Sequence, residues 1–85
     1  MSLMKRMRLT EGPAEIATLT RKVWGTLFET YGWEWFDAIE ARGVIIHAHS
    51  VSTAEARSIR DNLVNRGFAE YTEKYVSRIE ELTES

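Results

Sequence analysis

The chain has no cysteine, a single proline, little net charge and no long apolar run. Without cysteine there is no disulfide framework, no thiolate metal ligand and no thiol nucleophile. No stretch approaches the ~20 apolar residues of a membrane span. No secretory signal pattern opens the sequence, so a cytoplasmic protein is expected. The net charge of −2, from 11 basic and 13 acidic side chains, argues against a dedicated nucleic-acid coat but leaves room for a local basic patch. There is no nucleophile elbow with a Ser-His-Asp order and no phosphate-cradling glycine loop. Low-complexity segments and solenoid repeat periods are also missing, which points to one compact unit with short connections.

What is present is a chain of 85 residues, 44% hydrophobic and 28% charged, the balance of a globular domain. That length allows one domain, residues 1–85. A domain this small hides only ~60–65% of its unfolded surface, so each large apolar residue matters and a partner chain becomes attractive. Met4 follows closely behind Met1, and Met1 to Leu3 are read as a leader outside the fold.

Lys5-Arg6-Met7-Arg8-Leu9-Thr10 alternates charged and apolar residues, the pattern of a half-buried strand with Arg6 and Arg8 outward. Gly12-Pro13 stops it, and Pro13 with Glu15 suits a first helical turn. Ile16, Leu19, Val23, Leu27 and Tyr31 then recur at helical spacing, widened by Trp24 and Phe28, up to a terminator at Gly32. Residues 33–42 read as a short second helix with Trp35, Phe36 and Ile39 inward, closed by Gly43. Val44-Ile45-Ile46-His47-Ala48-His49-Ser50-Val51 reads as a strand because of its β-branched run. Ser52-Thr53-Ala54-Glu55 is a capping box ahead of a third helix, with Ala56, Ile59 and Leu63 inward, Val64 beside them and Gly67 as terminator. Residues 68–75 read as the last strand, with a short helix over Val76, Ile79 and Leu82. One long helix from Glu70 to Glu84 is the competing pattern.

The expected fold class is therefore α+β, a small two-layer sandwich of order β-α-α-β-α-β with three strands. The Val44–Tyr75 stretch would be a β-α-β unit with a right-handed crossover. The spacing Val51-Ser52-x-x-x-Ala56-x-x-Ile59-x-x-x-Leu63-x-x-x-Gly67 is similar to the final helix of the C-terminal domain of the bacterial ribosomal stalk protein. That domain shares its fold with the Clp protease adaptor family (ClpS). Pro13-x-Glu15-Ile16 and Gly43 also resemble the adaptor. The resemblance implies the β-α-α-β-α-β fold. It carries over no binding residues, because Thr10-Glu11-Gly12 stands where the adaptors have an Asn-Asp pair and Glu40 where they have a histidine.

Three constellations carry candidate chemistry. On a strand, His47 and His49 would share a face ~6–7 Å apart, a spacing for two ligands of one zinc ion. A carboxylate among Glu34, Asp37, Glu40, Glu70 and Glu73 would then complete the site. Packing or a solvated face is the plainer account of that pair. Trp24, Phe28, Tyr31, Trp33, Trp35 and Phe36 place six of the nine aromatics within thirteen positions, as core, as a pocket, or as an interaction surface through Trp24, Tyr31, Trp33, Trp35 and Phe36. Arg6 and Arg8, with Arg57 and Arg60 on the third helix, could face phosphates, although a strand rather than a helix precedes that third helix, unlike a helix-turn-helix. The expected function is a small non-enzymatic protein-interaction or adaptor-like module that self-associates. The alternatives are a metal site on His47 and His49 and a nucleic-acid-binding regulator.

Overall fold

Alternating residues of one strand organise the molecule. In the computed structural model, which describes residues 2–76, β1 (Ser2–Leu9) is the middle strand of a three-stranded antiparallel sheet. It pairs with β2 (Phe36–Asp37) on one side and with β3 (Ala69–Val76) on the other. The register sets Met7 beside Phe36 and Tyr71, and Leu9 beside Ala69. Met7, Leu9, Phe36 and Ala69 are buried there beneath the helices. The next residues in each strand, among them Arg6, Arg8, Glu70 and Thr72, fall on the opposite face because strand side chains alternate.

Three helices complete the two layers: α1 (Thr18–Tyr31), α2 (Ala38–His49) and α3 (Thr53–Asn65). Val23 and Leu27 of α1, Ala38, Ala41 and Ile45 of α2, and Ala56 and Leu63 of α3 close the core over the sheet. The small α+β class, the three helices and the three strands are those expected.

The positions of two elements are corrected. The observed succession is β-α-β-α-α-β. The residues expected as the second strand, Val44–Val51, lie mostly in α2, and the second strand is the two-residue β2. The cause is local. Asp37 caps α2, its Oδ1 accepting from the backbone N–H groups of Ile39 (2.8 Å) and Glu40 (3.3 Å). Ala38, Ala41 and Ile45 then recur at three and four residues and are fully buried. That stripe outweighs the β-propensity of Val44-Ile45-Ile46, since propensity is a weak prior beside burial. Gly43 does not end the helix. It sits exposed within it, and α2 ends instead at Ser50 in the left-handed conformation, φ 53°. Among the described residues, the Val44–Tyr75 stretch therefore forms no parallel β-α-β unit: α2 and α3 are consecutive helices, and β3 runs antiparallel to β1.

Smaller corrections follow. Ser2 and Leu3 lie within β1 and so take part in the fold. The first helix starts at Thr18 rather than Pro13. Glu15 has a positive φ of 53°, incompatible with a helical turn, and Gly12 offers no capping side chain. Phe36 is in a strand rather than a helix. The capping box is present, with Ser52 Oγ accepting from Glu55 N–H at 3.1 Å. Gly67 (φ 85°) terminates α3 in a Schellman arrangement: Phe68 N–H donates to Leu63 O and Gly67 N–H to Val64 O. Residues 69–76 are strand, so a helix beginning at Glu70 is not formed. The short helix expected over Val76, Ile79 and Leu82 falls beyond the described residues.

Candidate functional site

Among the described residues, the sheet is covered on one face. Its other face carries Met4, Arg6 and Arg8 from β1, Trp35 and Asp37 around β2, and Glu70 and Thr72 from β3. Arg8 is the hub: its guanidinium lies 4.6 Å from the centroid of the Trp35 ring and makes an ion pair with Glu70. Both charged side chains are about two-fifths exposed, and such pairs contribute little to stability. Arg6 donates from Nη2 to the Trp35 carbonyl at 3.3 Å, while its Nε is buried with no acceptor among the described residues. On this face Arg8 is balanced by Glu70 and stacked on the indole of Trp35 at the β2 side of the sheet.

Beside it lies an aromatic cluster. Trp24 and Phe28 are one helical turn apart on α1 and stack at 5.1 Å and 11°. Trp33, delivered by the turn after Gly32, packs edge-on against both, at 6.0 and 5.0 Å. Trp33 is 53% exposed and Phe28 is at the surface. Trp33 also walls a shallow cleft of about 290 Å³ with Arg8, Leu9 and Thr10. The indole N–H of Trp24 is buried with no acceptor among the described residues.

The five aromatics expected as one interaction surface are divided between three places. Trp24 and Trp33 form the cluster just described. Trp35 lies under Arg8 on the open sheet face. Phe36 is 4% exposed core, with Tyr31 stacked on it at 4.1 Å. Tyr31 donates its hydroxyl to Glu40 Oε1 (2.9 Å), and burial followed by that carboxylate pushes its pKa up to about 12.

His47 and His49 are not brought together. Two residues apart on a helix means about 200° of rotation, so they leave α2 on opposite flanks. His47 is exposed; His49 Nε2 is 2.7 Å from Thr26 Oγ1, tying α2 to α1. Asp37 is engaged in capping α2, Glu40 accepts from Tyr31 and Glu70 pairs with Arg8. Among the described residues, no group of three or more acidic or histidine side chains is gathered as for a metal ion.

The arginines are separated too. Arg6 and Arg8 are on the open sheet face, and Arg57 is exposed on α3 in the opposite layer. Arg60, expected to face phosphates from α3, is instead 6% exposed. Its Nη1 donates to the Ala38 carbonyl (2.6 Å) and its Nε to the Tyr71 hydroxyl (2.9 Å), which in turn donates to Asp61 (2.6 Å). Burial, then the bond to Asp61, raises the Tyr71 pKa well above its ordinary value. The network joins α2, α3 and β3 and is structural. Its signal in the sequence is the spacing Ala56, Arg60, Leu63, which sets an arginine inside an apolar stripe.

Comparison with protein-family models, with curated proteins and with solved structures finds no match to this chain. No helix among the described residues is long and apolar enough to cross a membrane.

Proposed function

We propose that the chain is a non-enzymatic protein-interaction module of the cytoplasm that self-associates, close in role to an adaptor. The observation that carries this reading is the one-sided sheet. The three described helices pack on one face, and the other presents Trp35 stacked under Arg8, which is paired with Glu70, next to the exposed Trp33 and Phe28. Flat aromatics with a polar surround are the composition of protein contact surfaces. Such a face also suits a domain too small to bury much of its own apolar surface.

The test is the mass of the full chain by light scattering after size exclusion, across a range of loading concentrations. A mass rising above the 9.8 kDa of one chain supports self-association. A constant 9.8 kDa at every concentration refutes it.

A further inference from the structure

We propose that self-association runs edge to edge through β3, which pairs antiparallel with β3 of a second copy in one register, centred on Thr72. The proposal rests on the self-association reading above and specifies its surface.

The backbone defines the edge. Among the described residues β3 is an outermost strand of the sheet, paired with β1 alone. Its outer edge is eight residues long, whereas the other side of β1 is interrupted by β2 at Arg6 and Met7, which leaves Ser2–Lys5 and Arg8–Leu9 as two shorter stretches. Thr10 N–H donates to Phe68 O at 3.0 Å, so this opposed pair is a hydrogen-bonded one. Antiparallel ladders alternate hydrogen-bonded and non-hydrogen-bonded pairs. Hence Glu70, Thr72 and Lys74 direct their backbone groups to Arg8, Arg6 and Met4. Ala69, Tyr71, Glu73 and Tyr75 direct theirs to the free edge.

The charges then choose the register. Charged residues on an edge strand ordinarily oppose pairing. Here their spacing reverses that effect. With Thr72 opposite Thr72 of the second copy, Tyr71 meets Glu73 and Ala69 meets Tyr75, which are the pairs whose backbone groups are free. The same register sets Glu70 opposite position 74, a lysine, of the second copy, twice by symmetry. Shifting the centre to Glu70, Glu73 or Lys74 opposes like charges, and centring on Tyr71 loses both Glu–Lys pairs. Opposite charges directly across a pair stabilise it and like charges destabilise it. The two-fold axis stands perpendicular to the sheet. It produces one continuous six-stranded sheet, two sets of three, with the described helices on the same side. The uncovered faces of the two copies merge into a single larger surface, still open to another protein.

Two experiments on the full chain test this. Because the chain has no cysteine, Thr72→Cys introduces a single thiol. Non-hydrogen-bonded antiparallel partners lie about 4.5 Å apart at Cα, within disulfide reach. Mild oxidation is expected to give a covalent dimer on a non-reducing gel, while Glu29→Cys, exposed on α1, stays monomeric. In sedimentation, Lys74→Glu and Glu70→Lys are each expected to weaken association about tenfold. An equimolar mixture of the two restores it, because every opposed position again carries opposite charges. If wild type associates but neither substitution weakens it and Thr72→Cys does not cross-link, the edge proposal is overturned while the self-association reading stands. If wild type is monomeric at every concentration, both fall.

Discussion

Replacing Gly43 by alanine tests the least expected element of the structure. Gly43 is the sixth of the twelve residues of α2, is exposed, and a Cβ built on it meets nothing within 4 Å. Its φ is not positive, unlike those of Gly32 and Gly67. Glycine in a helix interior is less favourable than alanine by roughly 0.5–1 kcal/mol, because it loses more backbone freedom on folding. With no steric cost to offset that gain, Gly43→Ala should stabilise the protein by about that amount. For a domain of this size, 1 kcal/mol moves the melting temperature by roughly 4–8 °C, so a rise of about 2–8 °C is expected by circular dichroism. Gly67→Ala is the internal contrast. At φ 85° an added Cβ is strained, and a loss of about 1 kcal/mol or more is expected. If Gly43 were instead a left-handed terminator before a strand, both substitutions would lower the melting temperature. A fall on Gly43→Ala would refute the continuous helix.

Other perturbations have definite expected outcomes. Arg60→Met keeps an apolar stem but removes the donors to Ala38 O and the Tyr71 hydroxyl, and should cost about 2 kcal/mol in urea unfolding; an unchanged midpoint would contradict the buried network. Both Tyr31 and Tyr71 hold their phenol protons more tightly in the fold than the ordinary value of 10.0, so their stabilisation is complete below pH 10 and declines as the pH rises toward about 12. Urea midpoints measured from pH 8 upward should fall beyond pH 10, less steeply in Tyr31→Phe, and a flat profile would count against the burial of both rings. Equimolar zinc should leave the melting temperature unchanged, since His47 and His49 leave opposite flanks of α2; a rise abolished by His47→Ala would reverse that conclusion.

The two halves of the chain differ in how plainly their residues announce their structure. The third helix is written in side-chain chemistry: Ser52 and Glu55 close a capping box at its start, and Gly67 takes up a left-handed turn at its end. The strand alternation around Met7 and Leu9 is equally plain, as both reach the core. α2 is hidden because its buried stripe begins with Ala38 and Ala41, too small to stand out beside a run of Val and Ile. Its capping residue, Asp37, sits inside what looks like a helix already under way, and its internal glycine imitates a stop. The pairing of His47 and His49 on one face requires a strand, and on α2 the two positions diverge. The aromatic crowding was visible, but its division into core, cluster and sheet face depends on the turn at Gly32 and on β2, which is only two residues long. Arg60 shows that one charged residue within an apolar period is better assigned by the period than by its charge.

The proposed dimer pairs an edge of β3 that is free, among the described residues, in a single chain. Amide hydrogen exchange of the full chain, followed residue by residue at low and high protein concentration, tests this most directly. Tyr71 and Glu73 should exchange freely when dilute and become protected as concentration rises, while Glu70 and Thr72, bonded to β1, stay protected throughout. Exchange at Tyr71 and Glu73 that is fast and independent of concentration, in samples whose mass shows association, would contradict the account.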